Sequence, residues 1–326
     1  MSDPGAASGG GVRGGHATAG VAAMAVANVI LGMSSLYWHA LADVEPTTLL
    51  GYRVLVSLVT LVAALALLGR VRAALETAAD ARLLTVHLTA AVLVSANWLT
   101  FIWGSIHGRV IETGLGYLIA PAVTIAMGVL VMRERLGALR GASLALCLLG
   151  VALLVLRSSE LQWWVYVTIG VTWGLYSFLK KFTTADPVTG LTLETAVLAV
   201  GTVVAVAATP YSLAPGPTAD GWDITLLAVC GLVSVTPLWL ISYGSKKVTL
   251  AVAGFLQYLL PTTQFVVAVT FYGQRPSGNT VVCFAIVWLS LASLVAASLL
   301  RARRTAHGPQ RHTAAPAGEK REQNQL

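Results

Sequence analysis

An apolar run long enough, or nearly long enough, to cross a bilayer recurs ten times along this chain. The runs are Val21–Leu41, Leu49–Leu68, Leu83–Gly104, Gly114–Met132, Gly141–Leu156, Trp163–Leu179, Leu191–Thr209, Ile224–Tyr243, Val252–Tyr272 and Val281–Leu300. A bilayer-spanning helix takes about 20 such residues. The runs are continuously apolar rather than alternating, which selects helices over a β-barrel. Gly141–Leu156 is the shortest, and Arg140 and Arg157 at its ends can snorkel to the two interfaces. With 56% hydrophobic and 11% charged residues, the chain carries more apolar surface than a soluble domain of 326 residues needs. The expectation is an all-α polytopic membrane protein.

Charge placement tests the count. With the N-terminus inside, the segments expected in the cytoplasm hold 17 of the 21 Lys and Arg residues. The outer loops hold Arg109, Arg157 and Arg275, and Arg53 falls inside a span. That asymmetry fits the positive-inside rule, so the expected topology is ten helices with both termini cytoplasmic. The net charge of +7 then reflects orientation and requires no nucleic-acid partner.

The runs also repeat in order. Residues 114–135, GLGYLIAPAVTIAMGVLVMRER, return 140 positions later as GFLQYLLPTTQFVVAVTFYGQR, matching Gly114 to Gly254, Pro121 to Pro261 and Arg135 to Arg275. At the same shift Gly104 falls on Gly244 and Asn97 on Pro237. At 141, Pro46 falls on Pro187 and Arg53 on Glu194. Residues 20–156 and 163–300 therefore read as two copies of one five-helix unit, between tails 1–19 and 301–326 expected to be disordered. An odd helix number per unit forces the copies into opposite orientation, the inverted-repeat arrangement of secondary transporters with a site near the midplane.

Candidate site residues follow from what a bilayer penalises. Arg53 lies seven residues past Pro46, about 10 Å below the outer surface at about 1.5 Å per residue. It reads equally as a structural ion pair or snorkelled cation and as a cavity cation. Glu194, the acid inside a span, reads as a gating or coupling group. The pair are expected to form two half-sites or gates rather than one tight salt bridge. Proline inside a helix removes a donor and displaces the carbonyl four residues back, which is Tyr117 for Pro121 and Gln257 for Pro261. Such backbone is tolerated only when buried in protein or lining a wet cavity. The expected cavity therefore holds Tyr117 and Gln257, with Tyr258, Asn97 and Trp98 as neighbours. The alternative is that both prolines only bend their helices for packing.

Other polar positions have plainer readings. Asn28, Gly32, Ser34, Ser35, Tyr37 and Trp38 form a small-residue packing stripe or a cavity stripe, and His39 reads as interfacial. Glu112 suits the positive end of a helix dipole or an outer vestibule. Gly137/Gly141 and Gly170/Gly174 have the GxxxG spacing of helix packing. Segment 69–82 reads as a short polar connection. Cys147, Cys230 and Cys283 lie in apolar runs and read as small hydrophobes, neither a disulfide frame nor a metal site.

SANWLTFIWG, GRVIETGLGYLIAP, VMRERL, TGLTLET and GFLQYLLPTTQF resemble the RarD branch of the EamA proteins, within the drug/metabolite transporter superfamily. The resemblance covers about residues 20–300. It implies ten helices as two inverted five-helix repeats working by alternating access on small metabolites or drugs. Ser35, Ala120, Gln274 and Tyr52 depart from the proline, asparagine, glutamate and histidine that the pattern expects. The implied partners are a small-molecule substrate and the lipid bilayer, with a homodimer left open and no cofactor. The rival classes are an intramembrane enzyme and a membrane receptor or assembly subunit. The sequence contains no H-E-x-x-H, G-x-S-x-G or P-loop, and nothing repeats like a channel filter.

Overall fold

The computed structural model describes residues 9–133, 161–245 and 256–286, together with 141, 142, 145, 146, 149, 150, 152, 247, 248, 288 and 289. Among these residues the chain is all-helical: α1 Gly9–His39, α2 Pro46–Leu67, α3 Val71–Ala79, α4 Ala81–Ile106, α5 Val110–Met132, α6 Trp163–Leu179, α7 Pro187–Ala208, α8 Gly221–Ser245 and α9 Leu259–Thr270. A 3₁₀ turn, Lys180–Phe182, extends α6. Residues 278–286, 288 and 289 are also helical, as are 141, 142, 145, 146, 149, 150 and 152. Six helices are long and apolar enough to cross a membrane: α1 from Thr18, α2, α4, α5, α7 and α8 through Ile241. Parts of the spans expected at Gly141–Leu156 and Val281–Leu300 lie outside the described residues, as do Gly137, Arg140, Cys147, Arg157 and the tails 1–8 and 301–326.

Helix starts follow local chemistry. Pro46 and Pro187 both sit in the first helical turn, where the missing N–H costs nothing and the fixed φ suits a helix. Asp186 caps α7 by accepting from the Val188 amide at 3.1 Å. Asp80 caps α4 through the amides of Arg82 and Leu83 at 2.9 and 3.1 Å. Two segments differ from expectation. Residues 9–19 continue α1, because a helix already nucleated by an apolar run propagates at low cost. Segment 69–82 holds α3, whose Ala, Leu and Glu favour a helix and whose Ala74 is buried beside α7 residues Val188 and Leu191.

The molecule is patterned inside out relative to a soluble protein. Val200, Val203 and Val204 of α7 are 65%, 58% and 57% exposed, at helical spacing, while the polar Glu194 on the same helix is fully buried. Apolar surface outside and polar groups inside is the arrangement a hydrocarbon solvent requires.

The helices pair across the two halves of the chain. α6 packs along α5 and α4, whereas α1 packs along α8 and α9. The α5–α6 contact is set by glycines: a Cβ at Gly174 would stand 2.5 Å from Val123 Cβ, and one at Gly116 2.6 Å from Ile169 Cβ. Gly170 and Gly174 are thus packing residues, whereas Gly141 has nothing within 4 Å among the described residues. Two apolar clusters close one end of the bundle. One joins Trp38, Leu41, Leu49, Ile102, Val165 and Leu227; the other joins Val110, Leu115, Tyr166, Ala268 and Phe284. Hydrogen bonds reinforce that end, from Tyr272 Oη to Ser35 O at 2.9 Å and from Tyr211 Oη to Thr47 O at 2.8 Å. Gln274 also bonds there, accepting from the Ile111 amide at 3.0 Å and donating to Gly108 O.

Candidate functional site

At the other end a cavity of about 640 Å³ opens between helices of both halves. Tyr117, Ala120, Pro121 and Thr124 of α5 line its deep part, facing Asn28 of α1 and Gln257 and Leu260 of α9. Trp173 and Tyr176 of α6 and Trp239 of α8 add aromatic walls. The lining then runs out past Lys180, Thr183 and Asp186 to Leu67 and Leu68, where helices end. Its walls are therefore mostly apolar, with a few convergent polar groups, the usual make-up of a small-molecule site.

The sequence candidates divide into three places. Tyr117, Gln257 and Pro121 line the cavity. Asn97 lies behind Tyr117, fully buried: its Oδ1 accepts from Tyr117 Oη at 3.0 Å and its Nδ2 donates to Thr172 Oγ1 at 3.2 Å. Asn97 therefore orients the tyrosine from outside the lining. Tyr258 and Pro261 lie elsewhere, Tyr258 packing against the Val110–Phe284 cluster.

The two prolines are not equivalent. α5 runs unbroken through Pro121. Pro261 instead occupies the first turn of α9, which a turn at Gln257 and Tyr258 separates from the helical Leu256. The Gln257 carbonyl is not freed, since it accepts from the Leu260 amide at 3.2 Å. A proline in a first turn interrupts no bond, because that N–H has no intrahelical acceptor.

The two buried charges differ as well. Arg53 of α2 is 5% exposed, and its Cζ stands 4.1 Å from the Trp98 ring centroid and 5.1 Å from that of Trp38. It makes no ion pair among the described residues, and its Nε and Nη1 lack acceptors there. Glu194 of α7 is enclosed by donors: His87 Nδ1 at 2.8 Å, Tyr176 Oη at 2.9 Å and Lys180 Nζ. His87 Nε2 continues the chain to Thr183 Oγ1 at 3.1 Å. Lys180, Tyr176 and Thr183 line the cavity, so Glu194 is one side chain removed from it. Arg53 and Glu194 are not paired with each other.

His87 is the residue that sequence reasoning missed. Its signal was present, since it is an ionisable side chain in the Leu83–Gly104 run, the criterion that singled out Arg53 and Glu194. Lys180 marks a helix end in the sequence, and only the fold turns it back onto Glu194. Glu112 is buried in the first turn of α5, 3.3 Å from Arg109 Nη1, which ties it to its own helix end. Asn28 lines the cavity while bonding to Met24 O at 2.8 Å, and Gly32 seats Thr263. His39 is exposed and its ring lies 4.8 Å from that of Tyr272. Cys230 and Cys283 are buried and form no disulfide among the described residues.

Comparison with known proteins places this architecture. A Vibrio cholerae serotype O1 protein named as an uncharacterized transporter is 32% identical, covering 80% of this chain and 86% of its own. RarD of Streptomyces exfoliatus is 30% identical, covering 84% of this chain and 87% of its own. The chain belongs to the RarD family. RarD of Escherichia coli K12, at 27% identity, covers 88% of this chain and 97% of its own. No family model matches. A solved crystal structure of 18% identity superposes with a TM-score of 0.59 over 87% of this chain and 99% of its own, a likeness of fold. With six helices apolar enough to cross a bilayer among the described residues, this RarD-family chain is a multi-pass membrane protein.

Proposed function

We propose that this RarD-family protein is a secondary transporter that exports small metabolites or drugs across the cytoplasmic membrane by alternating access. The observation that carries the reading is the one-sided cavity: open past Lys180, Asp186 and Leu67, and closed at the opposite end by packed apolar clusters. Two inverted five-helix repeats would give it its second state, in which the clusters part and the cavity end closes. The helix pairing supports that symmetry, because a shift of about 140 residues exchanges the α6 contacts with α4 and α5 for the α1 contacts with α8 and α9. Charge asymmetry puts the open end, with Lys180, in the cytoplasm, and both termini with it.

In this reading Tyr117 and Gln257 contact the solute, and Asn97 holds Tyr117 in place. Arg53 and Glu194 serve as gating or coupling groups on opposite sides of the midplane. Glu194 suits coupling because its carboxylate accepts from both Lys180 and His87, and loss of its charge would weaken its hold on them. The test compares metabolite and drug accumulation in cells with and without the protein, and with and without a proton gradient. Solute movement without chemical conversion is expected. Conversion of the solute would establish the rival intramembrane enzyme instead.

A further inference from the structure

Among the described residues, the buried charges come with counter-charges, except Arg53. Glu194 has Lys180 and His87, and Glu112 has Arg109. Arg53 has two indole faces and, among the described residues, no carboxylate. The titratable side chains near it among the described residues are the neutral groups Tyr117, Cys230 and Tyr37. A guanidinium stays protonated, so the charge cannot be shed as a buried lysine's can. Indole faces attract a cation but accept no in-plane hydrogen bonds, which leaves Nε and Nη1 unsatisfied.

Tyr117 separates this group from the cavity. Its ring lines the cavity on one side and packs against the Trp38–Leu227 cluster on the other. The hydroxyl is held by Asn97 at 3.0 Å, and a solute in the cavity reaches the guanidinium only if that ring turns aside. We infer that Arg53, held between Trp38 and Trp98 behind Tyr117, docks a carboxylate of the transported solute, and that the solutes are small amphipathic carboxylates with a flat apolar body. The inference rests on the transport reading above. A carboxylate fits better than a phosphate, because one cation in aromatic surroundings matches one negative charge and Lys180 is committed to Glu194. The flat body matches the rings of Trp173, Tyr176 and Trp239 along the cavity.

The test uses the purified full-length protein in detergent and pairs of probes that differ only in charge: benzoate against benzamide, and indole-3-acetate against indole-3-acetamide. Both acids should raise the melting temperature of the wild-type protein and both amides should not. Arg53→Gln should bind the acids roughly 10- to 100-fold more weakly, the loss expected for a hydrogen bond to a charged group, while Arg53→Lys keeps part of the response. The acid–amide comparison needs no variant, so it decides the matter even if Arg53→Gln fails to fold. Equal stabilisation by acid and amide, no stabilisation by either acid, or an unchanged response in Arg53→Gln would each overturn the assignment. An equal shift from sodium chloride alone would also overturn it, making Arg53 a resident halide site. In proteoliposomes the two claims separate. Acids that bind through Arg53 yet never cross leave the site standing and sink the transport reading. Acids that cross equally well in Arg53→Gln do the reverse.

Discussion

Removing the Glu194 carboxylate should cost this fold several kcal/mol, and grading the removal should grade the cost. Glu194 and His87 are both fully buried, and Tyr176 also donates to this carboxylate. Glu194→Ala leaves a ring N–H and a hydroxyl without their acceptor, at about 1–3 kcal/mol each. Lys180 is 29% exposed, so its ammonium recovers hydration and adds less. The sum is about 3–5 kcal/mol, the range found when one partner of a buried pair is deleted. Glu194→Gln keeps one carbonyl acceptor for His87 and loses the charge assistance, which points to about 1–2 kcal/mol. Combining Glu194→Ala with His87→Phe should cost less than the sum of the two, because the second change removes a donor already orphaned. Reversible unfolding in mixed micelles measures all of these. A cost below about 0.5 kcal/mol for Glu194→Ala, the level of an inert surface change, would refute the network as a structural element. So would equal costs for Ala and Gln.

Four further outcomes follow from the same structure. Glu194→Gln should change the pH dependence of transport, and an unchanged profile at normal protein level would leave Glu194 with a purely structural role. Tyr117→Ala and Gln257→Ala should abolish or respecify transport with membrane insertion intact; unchanged rates for the same solutes would place the site elsewhere. Gly174→Ala should destabilise by about 1–3 kcal/mol through the 2.5 Å approach to Val123, whereas Gly201→Ala, with open space around it, should be neutral or stabilising by up to about 1 kcal/mol in a melting assay. Reporter fusions at 70–82 and in the C-terminal tail should read cytoplasmic and those at 210–223 external; a tail reachable from outside would mean a miscounted helix.

The membrane character and the helix positions were legible because hydrocarbon imposes one rule on every span, and apolar runs of about 20 residues record it directly. Tyr117, Gln257 and Pro121 line a cavity between the two halves, although the Gln257 carbonyl, expected to be free, accepts from the Leu260 amide. A continuous apolar run from Val252 to Tyr272 does not show the turn at Gln257 and Tyr258 that precedes α9. The helix of 71–79 was hidden by Arg70, Arg72 and Arg82, which drew segment 69–82 toward a loop although VRAALETAA has helix-forming composition. The partners of Glu194 required the fold itself, since His87 and Lys180 stand 107 and 14 residues away and no spacing rule connects them. Arg53 was visible as a charge in a span, but its isolation between Trp38 and Trp98 was not. Contacts between residues distant in sequence leave no periodic trace.

The exchange of partners between the halves bears on how the protein can be made. α1 ends at His39, yet the α8 it packs along begins only at Gly221. At about 5–20 residues per second of synthesis, α1 waits roughly 10–40 s for that neighbour to emerge from the ribosome. During that interval Asn28, Ser34, Ser35 and the Gly32 notch face lipid or the insertion machinery. A gene cut between residues 156 and 163, the boundary expected between the two units, would accordingly yield two fragments, each missing the helix that completes its packing. The fragments should be stable only when produced together in the same membrane.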